Sequence, residues 1–308
     1  MILIFGGTGF IGRHTTLALR EAGHEVVVVS RSPDMDFLET HAPELQAIQY
    51  AELYNDPSPI FRRAHVVIWA AGQTTPGSNI DYPWQELTQN VQPVIWCAKQ
   101  AATHRSHMLF LSSGGSVYGE VSATGRITED EPLCPVSPYG MGKQMAEIGL
   151  GFLVRTQGLN LTTLRPSNPI GRWQSNPSQG VVGALLRAAR ANQPFHIFGD
   201  GSIVRDFLAV EDLARAILMA IEAPEHSINQ TWNVGSGKGH SIIEIHTMAS
   251  RIVGYEIPVK LQPARPTDPP YIVLDVSRIS NSIGWDTTIG LEYSIRDMWN
   301  SLIIHENS

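Results

Sequence analysis

Short apolar runs alternate with amphipathic stretches along the first half of the chain. Four runs are almost wholly apolar: 2–5, 25–30 (Glu-Val-Val-Val-Val-Ser), 65–70 (His-Val-Val-Ile-Trp-Ala) and 107–112 (His-Met-Leu-Phe-Leu-Ser). A fifth is expected at 159–165. Runs this short, with no polar alternation, predict strands buried on both faces, as in a parallel sheet. Between them helical patterns fall at about 11–22, 86–104 and 138–157. Strands alternating with helices over this length predict a doubly wound α/β sheet with right-handed crossovers. Ligands of such a sheet bind beyond the C-terminal ends of its strands.

The texture changes after Arg165-Pro166. Segment 166–180 is rich in Pro, Ser, Asn and Gly and reads as an irregular loop. A helix follows at about 181–192, and a strand at 203–208 with a helix at 210–222 is expected to return to the first lobe. The remainder holds an amphipathic helix (241–253), a Pro-rich run from Pro263 to Pro270 and a last helix near 291–303. The division expected is a sheet domain over 1–166 plus about 203–236, and a smaller C-terminal α+β substrate lobe over about 167–202 plus 237–308.

Composition narrows the class. With 308 residues, 43% of them hydrophobic, the chain can bury a large core. A net charge of −7 and the lack of a Lys/Arg run argue against nucleic acid and anionic membrane as partners. Two cysteines, Cys97 and Cys134, make no disulfide framework and have no metal spacing. The apolar start runs straight into a glycine turn and reads as a strand, not a signal peptide. A cytoplasmic protein is expected.

The strongest chemical signal lies at that start. Residues 2–12 read Ile-Leu-Ile-Phe-Gly-Gly-Thr-Gly-Phe-Ile-Gly, a strand feeding a tight turn feeding a helix. Gly6 permits the turn, Gly9 lets backbone N–H groups approach a diphosphate, and Gly12 lets the helix lie close to the strand. This is the Rossmann-type pattern for a dinucleotide. At the end of the second run, where an acidic residue would take the adenine ribose hydroxyls, stand Ser30-Arg31-Ser32. Arg31 offers a planar cation for a 2′-phosphate, with Ser30 and Ser32 as added donors, which favours NADP(H). NAD stays open, with Asp34 or Asp36 reaching back and Arg31 a solvated strand-end arginine.

The fourth run ends in Ser112-Ser113-Gly114-Gly115-Ser116-Val117-Tyr118-Gly119, and Ser137-Pro138-Tyr139-Gly140-Met141-Gly142-Lys143 follows. Tyr139 and Lys143 are four apart and share a helix face. A neighbouring ammonium favours the phenolate and is expected to lower the tyrosine pKa towards neutrality. Tyr139 then serves as base for an alcohol or acid for a ketone, and Lys143 can also hold the nicotinamide ribose. A hydroxyl from 112–116 would position the same substrate oxygen.

These motifs, in this order, resemble the extended short-chain dehydrogenases/reductases, in particular the nucleotide-sugar epimerase/dehydratase group. Leu164-Arg165-Pro166-Ser167-Asn168-Pro169, Gly199-Asp200-Gly201-Ser202-Ile203-Val204-Arg205-Asp206-Phe207 and Trp232-Asn233-Val234-Gly235-Ser236-Gly237 extend the resemblance over essentially the whole chain. It implies cofactor contacts at Gly6, Gly9, Phe10, Ile11, Gly12, Ser30, Arg31, Ser32, Ala70, Ala71, Gly72, Asn90, Ser112, Lys143 and Pro166. Glu52, with Leu53, falls where an acidic residue contacts the adenine amine. Asn168, Arg205 and Arg265 match the residues that hold a sugar-nucleotide diphosphate. A homodimer through the helices at 86–104 and 138–157 is likewise implied.

One departure matters. The family commonly places Ser or Thr where this chain has Gly114. Ser116, two residues on, would face the substrate by strand alternation and is the expected replacement, with Ser113 as runner-up. Gly114-Gly115-Ser116 also lacks the carboxylates of the dehydratase triplet, which argues against 4,6-dehydration. Two reactions stay open at C4 of a nucleotide-diphosphate sugar. One is NADPH-dependent reduction of a 4-keto-6-deoxy sugar, which Ser30-Arg31 favours. The other is 4-epimerisation on bound NAD. A non-catalytic NADP-sensing regulator is a remote alternative, since Tyr139, Lys143, Arg205 and Arg265 are all present. Segments 73–84 and 172–180 are expected to set sugar specificity, and Trp173 either lines the nucleotide or packs in the core.

Overall fold

The computed structural model describes residues 1–119, 125–174, 180–265 and 268–304. Its strands are β1 (Ile2–Phe5), β2 (Val26–Ser30), β3 (Gln46–Gln49), β4 (Val66–Trp69), β5 (His107–Leu111), β6 (Asn160–Pro166), β7 (Asn168–Ile170), β8 (Phe195–Phe198), β9 (Val204–Ala209), β10 (Gln230–Val234), β11 (Gly239–Ser241), β12 (Val259–Gln262) and β13 (Tyr271–Ile272). Its helices are α1 (Phe10–Glu21), α2 (Met35–His41), α3 (Tyr50–Asn55), α4 (Ser58–Phe61), α5 (Gln92–Thr103), α6 (Pro138–Gln157), α7 (Val181–Arg190), α8 (Val210–Glu222), α9 (Pro224–Ser227), α10 (Ile242–Val253), α11 (Ser277–Ile283) and α12 (Leu291–Ile304). A π-helical turn, Leu87–Val91, runs directly into α5.

Seven strands form one parallel sheet in the order β10-β6-β5-β4-β1-β2-β3. The α/β expectation holds, and the apolar runs explain it. Ile2, Ile4, Val26, Val28, Val66 and Ile68 enter one buried cluster, while Leu3, Phe5, Val27, Val29, Val67 and Trp69 enter another. Alternate side chains point to opposite faces, so a strand covered on both sides must be apolar throughout. The strand order reverses between β1 and β4, which leaves a crevice at their C-terminal ends.

The smaller lobe holds a second sheet, ordered β11-β9-β13 with β7 also on β9, and a parallel β8–β12 pair. Here the structure departs from the sequence expectation. β9, expected to return to the first lobe, belongs to this second sheet. The return is made by α8, packed on α1, and by β10, which adds to the large sheet beside β6. The loop expected over 166–180 also contains β7, and β3 gave no apolar run because its Gln-Ala-Ile-Gln is half exposed at the sheet edge. No helix among the described residues is long and apolar enough to cross a membrane.

Candidate active site

The turn after β1 is closed by backbone. Gly6 has φ +82, a left-handed conformation open to glycine, and a side-chain carbon there would stand 2.8 Å from Ala71 Cα. A side-chain carbon at Gly12 would stand 1.9 Å from the Gly6 carbonyl oxygen. Gly9 caps α1 in extended conformation with no side-chain bond, so the first backbone N–H groups of α1 face outward. A cleft of about 500 Å³ opens there, at the β1/β4 switch point. Gly6, Gly9, Phe10, Ile11, Ser30, Arg31, Ser32, Ala70, Ala71, Gly72, Asn90, Ser112, Tyr139 and Lys143 all line it. Thr8, Asp34, Tyr50, Trp69, Gln73 and Thr74 join them.

Two residues assigned to the adenine end lie elsewhere. Glu52 and Leu53 border a separate hollow with Ile48, Asp56 and Arg63, and Leu53 is buried in the core. α3 begins at Tyr50, and residues two apart on a helix point about 200° apart. Tyr50 therefore takes the cleft wall and Glu52 turns outward. Arg31 donates from Nη1 to Gln73 Oε1 at 3.0 Å, across the cleft. Gln73 is itself held by its N–H to Asn90 Oδ1 and its amide to the Gln89 carbonyl, each at 3.0 Å. Asp34 caps α2 through the Phe37 N–H and pairs with Arg13.

The opposite end of the cleft carries Tyr139 and Lys143 on α6. Ser137 caps this helix, its hydroxyl accepting the Gly140 N–H at 3.1 Å, and Pro138 occupies the first turn. Lys143 donates from Nζ to the Leu111 carbonyl at 2.7 Å, and its Nζ lies 5.7 Å from the Tyr139 ring centre. Burial pushes Lys143 down to about 8, with the Glu147 and then the Glu86 carboxylate opposing it. Tyr139 is pushed up to about 12 by burial, against a hydrogen bond with Ser113. The expected fall of Tyr139 towards neutrality does not appear in this geometry, because the ammonium is aimed at the end of β5 and not at the phenol.

Ser113 comes within hydrogen-bonding reach of the tyrosine. Strand alternation stops at Leu111, and the Ser116 and Val117 N–H groups both turn back to the Ser113 carbonyl. The Ser116 carbonyl lies against Gly140, the residue after Tyr139, 2.4 Å from where a side-chain carbon there would stand. Gly114 sits against the Arg165 carbonyl, 2.8 Å from where its side-chain carbon would stand. Behind the cleft wall, Ser112 donates to Glu147, which takes Arg165 Nε at 3.1 Å and Nη2 at 2.7 Å. Arg165 also donates to Tyr118 Oη at 2.9 Å, and that hydroxyl donates to Asn233 at 2.6 Å. This buried network fixes the floor under Ser112 and α6.

The substrate-side residues hang on Asp206. Its buried carboxylate accepts N–H groups from Ser236 (2.8 Å), Gly237 (3.1 Å) and Leu274 (3.3 Å), and the Ser236 hydroxyl at 2.7 Å. Neighbouring Arg205 is half-buried, donates to the Val204 carbonyl at 2.9 Å and faces Asp268; desolvation pushes its pKa down. Asp268 N–H bonds the Arg265 carbonyl at 3.1 Å, and the Arg265 guanidinium carbon lies 3.4 Å from the Phe198 ring centre. Asn168 donates to the Asp206 carbonyl at 2.9 Å and borders Gly115. Pro166, buried at the end of β6, accepts the Gly114 N–H. Trp173 packs on His14, Phe37 and His41, at 4.8, 5.3 and 5.5 Å between ring centres, and so joins the core edge. Of segment 172–180, residues 175–179 lie outside the described residues.

The residues present fit a dinucleotide: the glycines leave backbone N–H groups exposed at a helix N-terminus, and the cleft runs from Arg31 to Lys143. The profile of the "NAD dependent epimerase/dehydratase family" matches residues 2–235. A putative UDP-glucose 4-epimerase of Methanocaldococcus jannaschii is 29% identical over 97% of each chain. The UDP-glucose 4-epimerase of Thermotoga maritima, solved with UDP-glucose, superposes with a TM-score of 0.89 at 29% identity, covering 99% of both chains. That of Thermus thermophilus, solved with NAD, gives 0.86 at 26% identity over 98% of both.

Proposed function

The chain belongs to the NAD dependent epimerase/dehydratase family, and on that premise we propose that it is a 4-epimerase of a nucleoside-diphosphate hexose, working on bound NAD. The observation that carries this reading is Tyr139 beside Lys143 at the inner end of the dinucleotide cleft, in a chain whose named relatives are UDP-glucose 4-epimerases. Reduction by NADPH drew its support from Ser30-Arg31. The named relatives are 4-epimerases, and Arg31 is occupied by Gln73, which favours the epimerase.

NAD, when bound, supplies the carbon that takes hydride from the sugar C4 and returns it to either face. Tyr139 Oη takes the C4 hydroxyl proton as hydride leaves and gives it back on return. Ser113 hydrogen-bonds the phenol and holds the same sugar oxygen. Lys143 binds the nicotinamide ribose, and its charge assists ionisation of Tyr139 once the site is filled. Arg205 and Arg265, with Asn168, hold the diphosphate, leaving the sugar free to turn between hydride steps. A homodimer through α5 and α6 is part of this reading, since Met145, Ile148 and Phe152 form an exposed apolar stripe on α6. The deciding experiment is to denature the purified protein and identify the released nucleotide. Retained NAD with UDP-sugar 4-epimerisation supports the reading; an empty site that takes up only NADPH refutes it.

A further inference from the structure

Glu86 is 1% exposed, yet no step above uses it. Its Oε2 accepts Thr74 Oγ1 at 3.1 Å and Asn90 Nδ2 at 2.7 Å, and its Oε1 accepts Asn79 Nδ2 at 2.9 Å. Asn90 is oriented by the Gln73 N–H on its Oδ1, so its NH₂ must face Glu86. Three neutral donors converging on one buried side chain make a seat for an anion. An amide there would turn two donors of its own into that ring.

The seat lies against the catalytic helix. A side-chain carbon at Gly142 would stand 2.8 Å from Glu86 Oε2 and 3.1 Å from its Cβ. Gly142 is three residues beyond Tyr139, on its face of α6, and immediately precedes Lys143. The carboxylate thus rests in a notch at Gly142, flanking the two reactive side chains, and its charge acts on both. The groups facing Lys143 are Tyr139 and Glu147 from α6, the Phe110 ring and Leu111 carbonyl from β5, and Glu86 from the segment before α5. Those facing Glu86 are Thr74, Asn79, Asn90, Tyr139 and Lys143.

We propose that Glu86 is an anionic positioning residue of this site: across the Gly142 notch it balances the Lys143 ammonium, and through Thr74 and Asn79 it pegs loop 73–79 to the catalytic helix. Lys143 has two carboxylate neighbours, but Glu147 is committed to Arg165 and Ser112, whereas the partners of Glu86 are neutral. Removing the Glu86 charge withdraws support for the ammonium, so Lys143 loses its proton at lower pH. Only the turnover arm of the test rests on the 4-epimerase reading.

The test compares the full-length protein with Glu86→Gln and Glu86→Asp. NADH binding to protein stripped of retained nucleotide is followed by quenching of tryptophan fluorescence (Trp69 lines the cleft), and UDP-sugar turnover is followed in parallel, both from pH 6 to 10. In Glu86→Gln the alkaline limb of both profiles is expected to move down by about one pH unit, while Glu86→Asp keeps the wild-type limb at a lower rate. A limb in Glu86→Gln that coincides with wild type overturns the proposal, whatever happens to its thermal midpoint. A shifted binding limb in a protein that epimerises no UDP-sugar upholds Glu86 and sinks the epimerase reading instead. If Glu86→Gln does not fold, Gly142→Ala, which keeps the charge but pushes it off the notch, is judged by the same limb.

Discussion

The Arg165–Glu147 pair gives the sharpest energetic prediction. Both side chains are nearly buried, 8% and 12% exposed, and they share two hydrogen bonds of 2.7 and 3.1 Å. Hydrogen bonds to charged groups contribute about 1.5–3 kcal/mol each, so Glu147→Gln, which leaves the guanidinium buried and uncompensated, should cost about 3–5 kcal/mol. Against a total stability of about 5–15 kcal/mol that is a large share, visible as a melting point lower by roughly 5–10 °C. Arg165→Met alone leaves the carboxylate stranded with Ser112 and should cost a similar amount. The double variant, Glu147→Leu with Arg165→Met, replaces both charges by apolar groups of similar volume and should recover to within about 1–2 kcal/mol of wild type. Thermal or urea unfolding of wild type, Glu147→Leu, Arg165→Met and the double variant closes a double-mutant cycle, with Glu147→Gln as the isosteric comparison. Two single costs that simply add, or a Glu147→Gln cost below about 1 kcal/mol, would refute the claim that this pair is a desolvated unit under the cleft floor.

Further outcomes follow from the site geometry. Tyr139→Phe should lower turnover by about 10²–10⁴-fold with NADH affinity nearly unchanged, as read by steady-state rates beside fluorescence titration. Ser113→Ala should lower kcat by at least about tenfold while Ser116→Ala stays within about threefold; equal effects would contradict the Ser113–Tyr139 bond. Arg205→Ala should raise KM for the nucleotide sugar by about 10–100-fold, with the melting point little changed. Burial pushes His14 and His107 down to about 4 in the folded chain, while the unfolded chain takes up these protons near 6.5. Their contribution is therefore complete above about pH 6.5 and is lost as pH falls towards 4, up to about 3 kcal/mol each. Melting points measured from pH 8 to 4.5 should drop accordingly, and His107→Gln should flatten that drop; an unchanged slope would count against it.

Local patterns carried much of the fold. β1, the glycine turn and α1 could be read from residues 2–12 because the conformation of each residue there is set by its immediate neighbours. The apolar runs of β2, β4 and β5 were equally plain, since burial on both faces leaves no choice of residue. What escaped depended on distant partners. Which serine lies near Tyr139 depends on where the chain leaves β6: Ser112 and Gly114 still donate to Leu164 and Pro166, and the chain then turns back on the Ser113 carbonyl. Glu52 missed the cleft by a rotation of two helical residues after β3, an edge strand too polar to anchor a register from sequence. Glu86 gave no signal at all, because its meaning lies in a missing side chain at Gly142, 56 residues away. The membership of β9 followed from the ring of N–H donors around Asp206, drawn from positions 236, 237 and 274.

β9 ends at Ala209 and α8 begins at Val210, with both residues buried and no residue between them. One end of this continuous rod carries Arg205; the other lies along α1, whose first turn faces the dinucleotide cleft. On the proposed reading this direct junction acts as a calliper, spacing the diphosphate of the sugar from that of the dinucleotide. On the 4-epimerase reading, substrates are gauged by the length between their own diphosphate and the carbon to be inverted.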